Sequence, residues 1–203
     1  MTGYLTLVTP PVQEPVSQTE AKLHLRVEHE DENTLIDALI AAARQHVEAV
    51  TGRALLTQTW DLVLPGFPLS GVIELPKAPL QSVTSITYVD PDGVLRTLDQ
   101  SQYLVQAPAG PYAVPGRITR PSDVAWPATE TSRLDAVMVR FVAGYGSSGA
   151  DVPEAIRQAL LLLIGHWYEN REAVSGAVGG AGMADVPFGV EMLLTPYRLI
   201  EVA

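Results

Sequence analysis

The chain contains no cysteine, so neither a disulfide framework nor a thiolate metal site can be built from it. Basic side chains are scarce. Thirteen Lys and Arg face 23 Asp and Glu, for a formal net charge of −10. A protein that grips nucleic acid draws most of its affinity from basic groups neutralising phosphates, so this balance argues against a primary nucleic-acid binder. An acidic surface repels a passing duplex, which suits a channel wall better than a clamp. Long hydrophobic runs are missing too. The longest, Ala159 to Ile164, is far too short for a membrane span. The opening MTGYLTLVTPP has no basic region and no apolar stretch of the kind that marks a secretory leader. No internal repeat is visible. What is present is 203 residues, 47% of them hydrophobic, enough for one sizeable core or a core with an attached subdomain in a soluble protein.

Three blocks follow one another: helical, β-rich, helical. Residues 1–16 read as extended, with Pro10, Pro11 and Pro15. Ser17-Gln-Thr-Glu20 has capping-box spacing and opens a short helix carrying Ala21, Leu25 and Val27. Asp31 is placed to cap a second helix. Its apolar residues Leu35, Ile36, Leu39, Ile40, Ala43, Val47 and Val50 fall on one stripe, and Gly52 stands where a terminating glycine belongs. From Ala54 to Gly146, runs of β-branched and aromatic residues alternate with Pro/Gly turns. Strands are predicted at 57–64, 72–75, 83–89, 95–99, 103–105 and 137–143. Asp90-Pro-Asp-Gly93 marks a hairpin turn, and the proline-rich segment 106–130 reads mainly as loop. Asp151-Val-Pro153 then starts a long helix running to about Val174, with Ile156, Ala159, Leu160, Leu163, Ile164 and Trp167 on a broad face. Residues 175–182 (SGAVGGAG) read as a flexible linker, and a last apolar segment, Val190 to Leu194, ends before Pro196.

The expected fold class is α+β: a helical bundle from the N- and C-terminal helices with an inserted antiparallel β-rich subdomain. Its expected parts are 1–53 (N-terminal helical part), 54–146 (β-rich insertion), 147–175 (long helix completing the core) and 176–203 (glycine linker and C-terminal tail).

Each candidate for chemistry has a plainer explanation. Gly144-Tyr-Gly-Ser-Ser-Gly149 matches the dinucleotide fingerprint G-x-G-x-x-G, with Glu169 and Glu172 about 20 residues on. No second parallel strand follows, however. Asp151 also sets a carboxylate where pyrophosphate would sit, and the preceding block reads as antiparallel. The segment is therefore a strand-to-helix loop. His24 and His29, beside Glu28, Glu30, Asp31 and Glu32, lack both the H-E-x-x-H and the EF-hand spacing and read as a solvated turn. Ser147, Ser148 and His166 do not form a nucleophile elbow. No catalytic, cofactor or metal residue is assigned, and no enzymatic activity is expected. The alternative is a small-molecule or carbohydrate-binding module with Trp60, Tyr88 and Tyr103 of the β-rich block available for stacking.

An ordered set of motifs is more specific than any one of them. It comprises Ala21-Lys-Leu-His-Leu-Arg26, Ala41-Ala-Ala-Arg44, Thr51-Gly-Arg-Ala54, Gln58-Thr-Trp60 and Leu75-Pro-Lys-Ala-Pro79. Gly144-Tyr-Gly146, Val152-Pro153, Trp167-Tyr-Glu-Asn-Arg-Glu172 and Leu193-Leu194 with Pro196-Tyr-Arg198 follow. The set resembles the phage head–tail connector family, the gp6-like proteins and more closely the phiE125 gp8-like adaptors. The resemblance implies a structural adaptor in the neck of a virion or gene transfer agent, synthesised in the bacterial host cytoplasm. Its implied partners are copies of itself in a cyclic ring, typically of twelve, the portal protein above, and a stopper or tail terminator below. DNA only passes through the channel, and there is no cofactor and no membrane partner. By the same resemblance the C-terminal segment docks on the portal through Leu193, Leu194, Tyr197, Leu199 and Arg198. Glu169, Arg171 and Glu172 are expected subunit contacts.

Overall fold

The computed structural model describes residues 3–171 and 188–199. They form eight strands: β1 (Tyr4–Thr9), β2 (Gln58–Leu64), β3 (Val72–Leu75), β4 (Leu80–Val89), β5 (Leu95–Thr97), β6 (Leu104–Gln106), β7 (Gly116–Thr119) and β8 (Val137–Ala143). The α-helices are α1 (Gln18–Leu25), α2 (Asn33–Thr51), α3 (Glu154–Glu169) and α4 (Phe188–Leu194). The chain divides into two compact units, each assembled from two separate segments. One comprises residues 1–12 and 52–147, the other 13–51 and 148–203.

The first unit is β-rich. Its larger sheet has the order β1-β2-β8-β4-β5, its smaller one β3-β7-β6, and every pairing is antiparallel. β8 shows the cleanest two-residue alternation. Val137, Val139, Phe141 and Ala143 are buried while Met138, Arg140 and Val142 between them are partly solvated, as the pleat of a strand requires. Leu62, Leu64 and Ile86 of the larger sheet join Ile73, Leu75 and Ile118 of the smaller in one hydrophobic cluster. On the opposite face Arg140 forms a double hydrogen bond to Asp61 of β2, both contacts at 2.8 Å.

Turn chemistry fixes the connections. The Asp90 carboxylate accepts the amides of Asp92 and Val94 at 3.1 and 2.9 Å, and Gly93 takes a φ of 77°, a left-handed conformation that glycine adopts at little cost. Gly144 sits at φ 135°, and a Cβ there would come within 2.3 Å of the Leu56 carbonyl oxygen. Only glycine lets these two backbones approach so closely.

The second unit is helical. Ser17 caps α1 in a reciprocal box with Glu20. α2 buries Ile36, Ile40, Ala43 and Val47 on one stripe. α3 buries Ile156, Ala159, Leu160, Leu163 and Ile164 and packs against α1, α2 and α4. The His46 ring of α2 meets the Trp167 ring of α3 edge-on at 5.9 Å.

Several expectations shift. β1 belongs to the larger sheet of the β-rich unit, where it pairs with β2, rather than forming a lead-in to the helices. β7 lies inside 106–130, a stretch expected to be loop. α2 begins at Asn33, so Asp31 does not cap it. Asp151 serves a different turn, with its carboxylate accepting the Ser148 amide at 2.9 Å in a short 3-10 turn ahead of α3. α3 ends at Glu169, where the Asn170 side-chain amide donates to the His166 carbonyl at 2.8 Å. The linker expected at 175–182 lies outside the described residues.

Candidate functional site

The β-rich unit carries no nucleotide cradle in the glycine loop. β8 is flanked by antiparallel strands on both sides, whereas a dinucleotide fold sets its glycine turn at the end of a parallel strand. The loop instead closes on its own unit, with the Gly146 carbonyl accepting the Thr57 amide at 2.9 Å. The stacking platform fails on similar grounds. Tyr103 is buried in the core, the Tyr88 ring abuts Phe67 edge-on at 5.9 Å, and Lys77 Nζ lies 5.3 Å from the Trp60 ring centre. Of the three rings only Trp60 and Tyr88 are partly exposed, and both are engaged by these neighbours.

In the helical unit, His29 lies 3.7 Å from Asp31 and 3.9 Å from Glu32. Among the described residues no three His, Asp or Glu side chains converge to hold a metal ion. Nor is any described helix long and apolar enough to cross a membrane.

At the C-terminus, α4 continues into a 3-10 turn at Thr195–Tyr197, tied by the Thr195 hydroxyl donating to the Glu191 carbonyl at 2.7 Å. The Leu199 amide donates to the Thr51 carbonyl at 2.9 Å, anchoring the segment to the end of α2. Two of the expected docking side chains are consequently part of the subunit's own core. Leu194 is 1% exposed and Tyr197 5%, and Val190 beside them is fully buried. The spacing 190, 194, 197 is a helical buried stripe, the signal that a reading of this segment as a free tail passes over. Leu193 and Leu199 are half-buried and Arg198 is exposed, 3.8 Å from Glu191. The outward face of α4 carries Phe188 at 76% and Met192 at 61% exposure, one turn apart.

At the end of α3, Glu169 is exposed, whereas Arg171 is engaged within the subunit. Its guanidinium meets the Glu32 carboxylate at 2.6 Å and lies 4.7 Å from the centre of the Tyr168 ring. The Tyr168 hydroxyl donates to the same carboxylate. These two donors, the Tyr168 hydroxyl first, hold Glu32 below the ordinary carboxylate range. Glu172 lies outside the described residues.

Charge is divided unevenly. Residues 1–12 and 52–147 hold seven Lys and Arg against eight Asp and Glu, a formal net charge of −1. Residues 13–51 and 148–203 hold six against fifteen, a net of −9. The helical unit therefore carries nearly all of the chain's net negative charge.

Over 98% of its length the chain is similar to a protein in the neck of an empty GTA particle with C6 symmetry, at 26% identity and a TM-score of 0.79, covering 97% of that chain. It is equally similar to a chain of the virion of a native gene transfer agent (GTA) particle, at 26% identity, a TM-score of 0.77 and the same coverage. The fold also recurs in the neck of a native GTA particle with C12 symmetry, at 24% identity and a TM-score of 0.70. No curated protein matches. The family described as phage gp6-like head-tail connector proteins matches residues 18–90 and 128–198, leaving β1 and the segment with β5, β6 and β7 outside its pattern. That match takes in most of both units, and the protein belongs to the phage gp6-like head–tail connector family.

Proposed function

We propose that this connector works as one subunit of a cyclic ring at the head–tail junction of a phage or gene transfer agent. The portal lies on one side of the ring, a tail-side neck protein on the other, and DNA passes through the middle. The observation that carries the reading is the ordered family match across helices and sheet, joined to a shared fold with neck proteins over almost the whole chain. The net charge of −10 per subunit agrees with a conduit that lets a polyanion slide. The work is structural and involves no turnover.

Portal attachment is assigned to the C-terminal segment. Leu193, Leu199 and Arg198 stay in this role, and the exposed Phe188 and Met192 join them. Leu194 and Tyr197 support the segment from beneath. Co-expression with the cognate portal followed by negative-stain microscopy tests the reading. A ring at the portal exit is expected, and portals that consistently emerge bare would overturn it.

A further inference from the structure

We infer that the β-rich unit supplies the subunit–subunit contact of the ring, through two different faces that meet each other on successive copies. This rests on the ring reading above. A closed ring needs heterologous contacts, so each subunit must offer two unlike surfaces. The β-rich unit has such a pair.

The first is the outer edge of β1, which pairs with no further strand among the described residues. Edge strands exposed to solvent are usually guarded by charge, proline or shortness. β1 is six residues long and contains neither charge nor proline, and residues 1–13 hold no charged side chain at all. Tyr4, Leu7 and Val8 are exposed along it. The second face is formed by β6 and the loop leading to β7. Residues 100–116 are likewise without charge, and Leu104, Tyr112 and Val114 are exposed there. That loop is held in shape from below. Arg53, 2% exposed, donates to the Ala113 carbonyl at 2.8 Å, and the Tyr145 hydroxyl donates to the Pro111 carbonyl at 2.8 Å. Tyr112 and Val114 are thus presented on a fixed backbone, which lowers the ordering cost of an interface.

The two faces belong to different sheets of the unit. A cleft of about 620 Å³ is lined by Gly3, Leu62 and Leu64 together with Val72 and Ile73, which sets β3 beside the β1–β2 side. In the order β3-β7-β6, β6 lies at the far edge of the smaller sheet, about 10 Å further on at ordinary strand spacing.

Charge decides which unit can bear the contact. Successive helical units carry −9 each and repel, whereas successive β-rich units carry −1. Apolar, uncharged surfaces on the near-neutral unit are the ones that gain from mutual burial. A second copy fits these faces better than portal or tail protein does, because two unlike uncharged faces on one unit are what ring closure needs, and a single axial partner would use one.

The absence of native cysteine makes the test direct. Val8→Cys and Leu104→Cys are introduced singly and together, and the rings formed with portal are treated with a flexible bismaleimide. The double variant is expected to give a ladder of covalent oligomers up to the full ring, and each single variant only monomer. Tyr4→Cys with Tyr112→Cys serves as a second pair should the first perturb folding. Rings by microscopy with no ladder from either double variant would overturn the inference while leaving the ring reading intact. A dimer from a single variant would overturn it too, by showing that like faces meet. Wild-type protein that never forms a ring with portal would instead overturn the ring reading.

Discussion

Arg53 is a fully buried arginine whose guanidinium donates to the carbonyl of Ala113, sixty residues away, at 2.8 Å. It belongs to the Thr51-Gly-Arg-Ala54 run directly after α2 and fastens the loop between β6 and β7. Replacing it by methionine keeps the apolar stem but strands a buried acceptor, at a cost of about 1–3 kcal/mol. Arg53→Met is expected to lower the urea midpoint accordingly and to raise the protein concentration needed for ring formation with portal. An unchanged midpoint would show that the arginine does not hold the loop.

The C-terminal segment should separate into structural and docking residues. Leu194→Ala removes a side chain that is 1% exposed, and such truncations cost about 2–5 kcal/mol. Phe188→Ser and Met192→Ser remove exposed groups and should shift stability by no more than about 0.5 kcal/mol, yet abolish capture on immobilised portal. Deleting 188–199 should destabilise the whole helical unit, since it uncovers the face of α3 on which α4 packs. Thermal denaturation alongside a portal pull-down distinguishes the two classes.

Acid should attack the helical unit through two glutamates. Glu20 is held below the ordinary carboxylate range by the Ser17 amide first, then the Ser17 hydroxyl and Arg157. Glu32 is lowered by the Tyr168 hydroxyl and Arg171. A carboxylate with a depressed folded-state pKa contributes stability that is fully present above its unfolded value and is lost as pH falls through the depressed one. Melting temperature is therefore expected to hold through neutral pH and fall below the ordinary glutamate range. Glu20→Gln and Glu32→Gln should each flatten that acid limb while lowering stability at pH 7. An acid limb of undiminished slope in both variants would refute the assignment.

Ring formation should strengthen as salt is added. Between about 0.1 M and 1 M, the screening length drops from about 10 Å to about 3 Å, which quiets repulsion between helical units of net charge −9. Contacts made chiefly by Glu169, Arg171 and Glu172 across subunits would weaken over the same range. Native mass spectrometry or sedimentation at two salt concentrations separates the two outcomes.

Local signals were strong wherever one short stretch decides its own conformation. The capping box at Ser17, the stop at Gly52 and the turn at Asp90 through Gly93 all stand where their chemistry places them. The alternation in β8 gave its limits directly. What could not be read was pairing at a distance. β1 was obscured by the prolines behind it, although it hydrogen-bonds with β2 some fifty residues on. β7 is four residues between Pro115 and Pro121, with Ile118 its one buried aliphatic. At the candidate site, the identity of the family was legible from its ordered motifs. The burial of Leu194 and Tyr197 was not, because it depends on α3 and α4 packing together. The division of charge was visible in principle, but only after the chain had been partitioned into its two non-contiguous units.

The position of β8 has a consequence for biosynthesis. Among the described residues it is the last strand in sequence, yet it lies in the middle of the larger sheet, between β2 and β4. A nascent chain that has emerged only as far as β7 holds β1–β2 and β4–β5 as two separate ribbons with no strand to join them. Insertion of β8 closes contacts across about eighty residues, of which Asp61 to Arg140 spans 79, and such long-range closure is slow. The ribbon that carries the β1 edge is therefore not yet joined to β4 at that stage. Under the ring reading proposed above, a chain stopped before β8 would lack the joined larger sheet and would make a poor ring subunit.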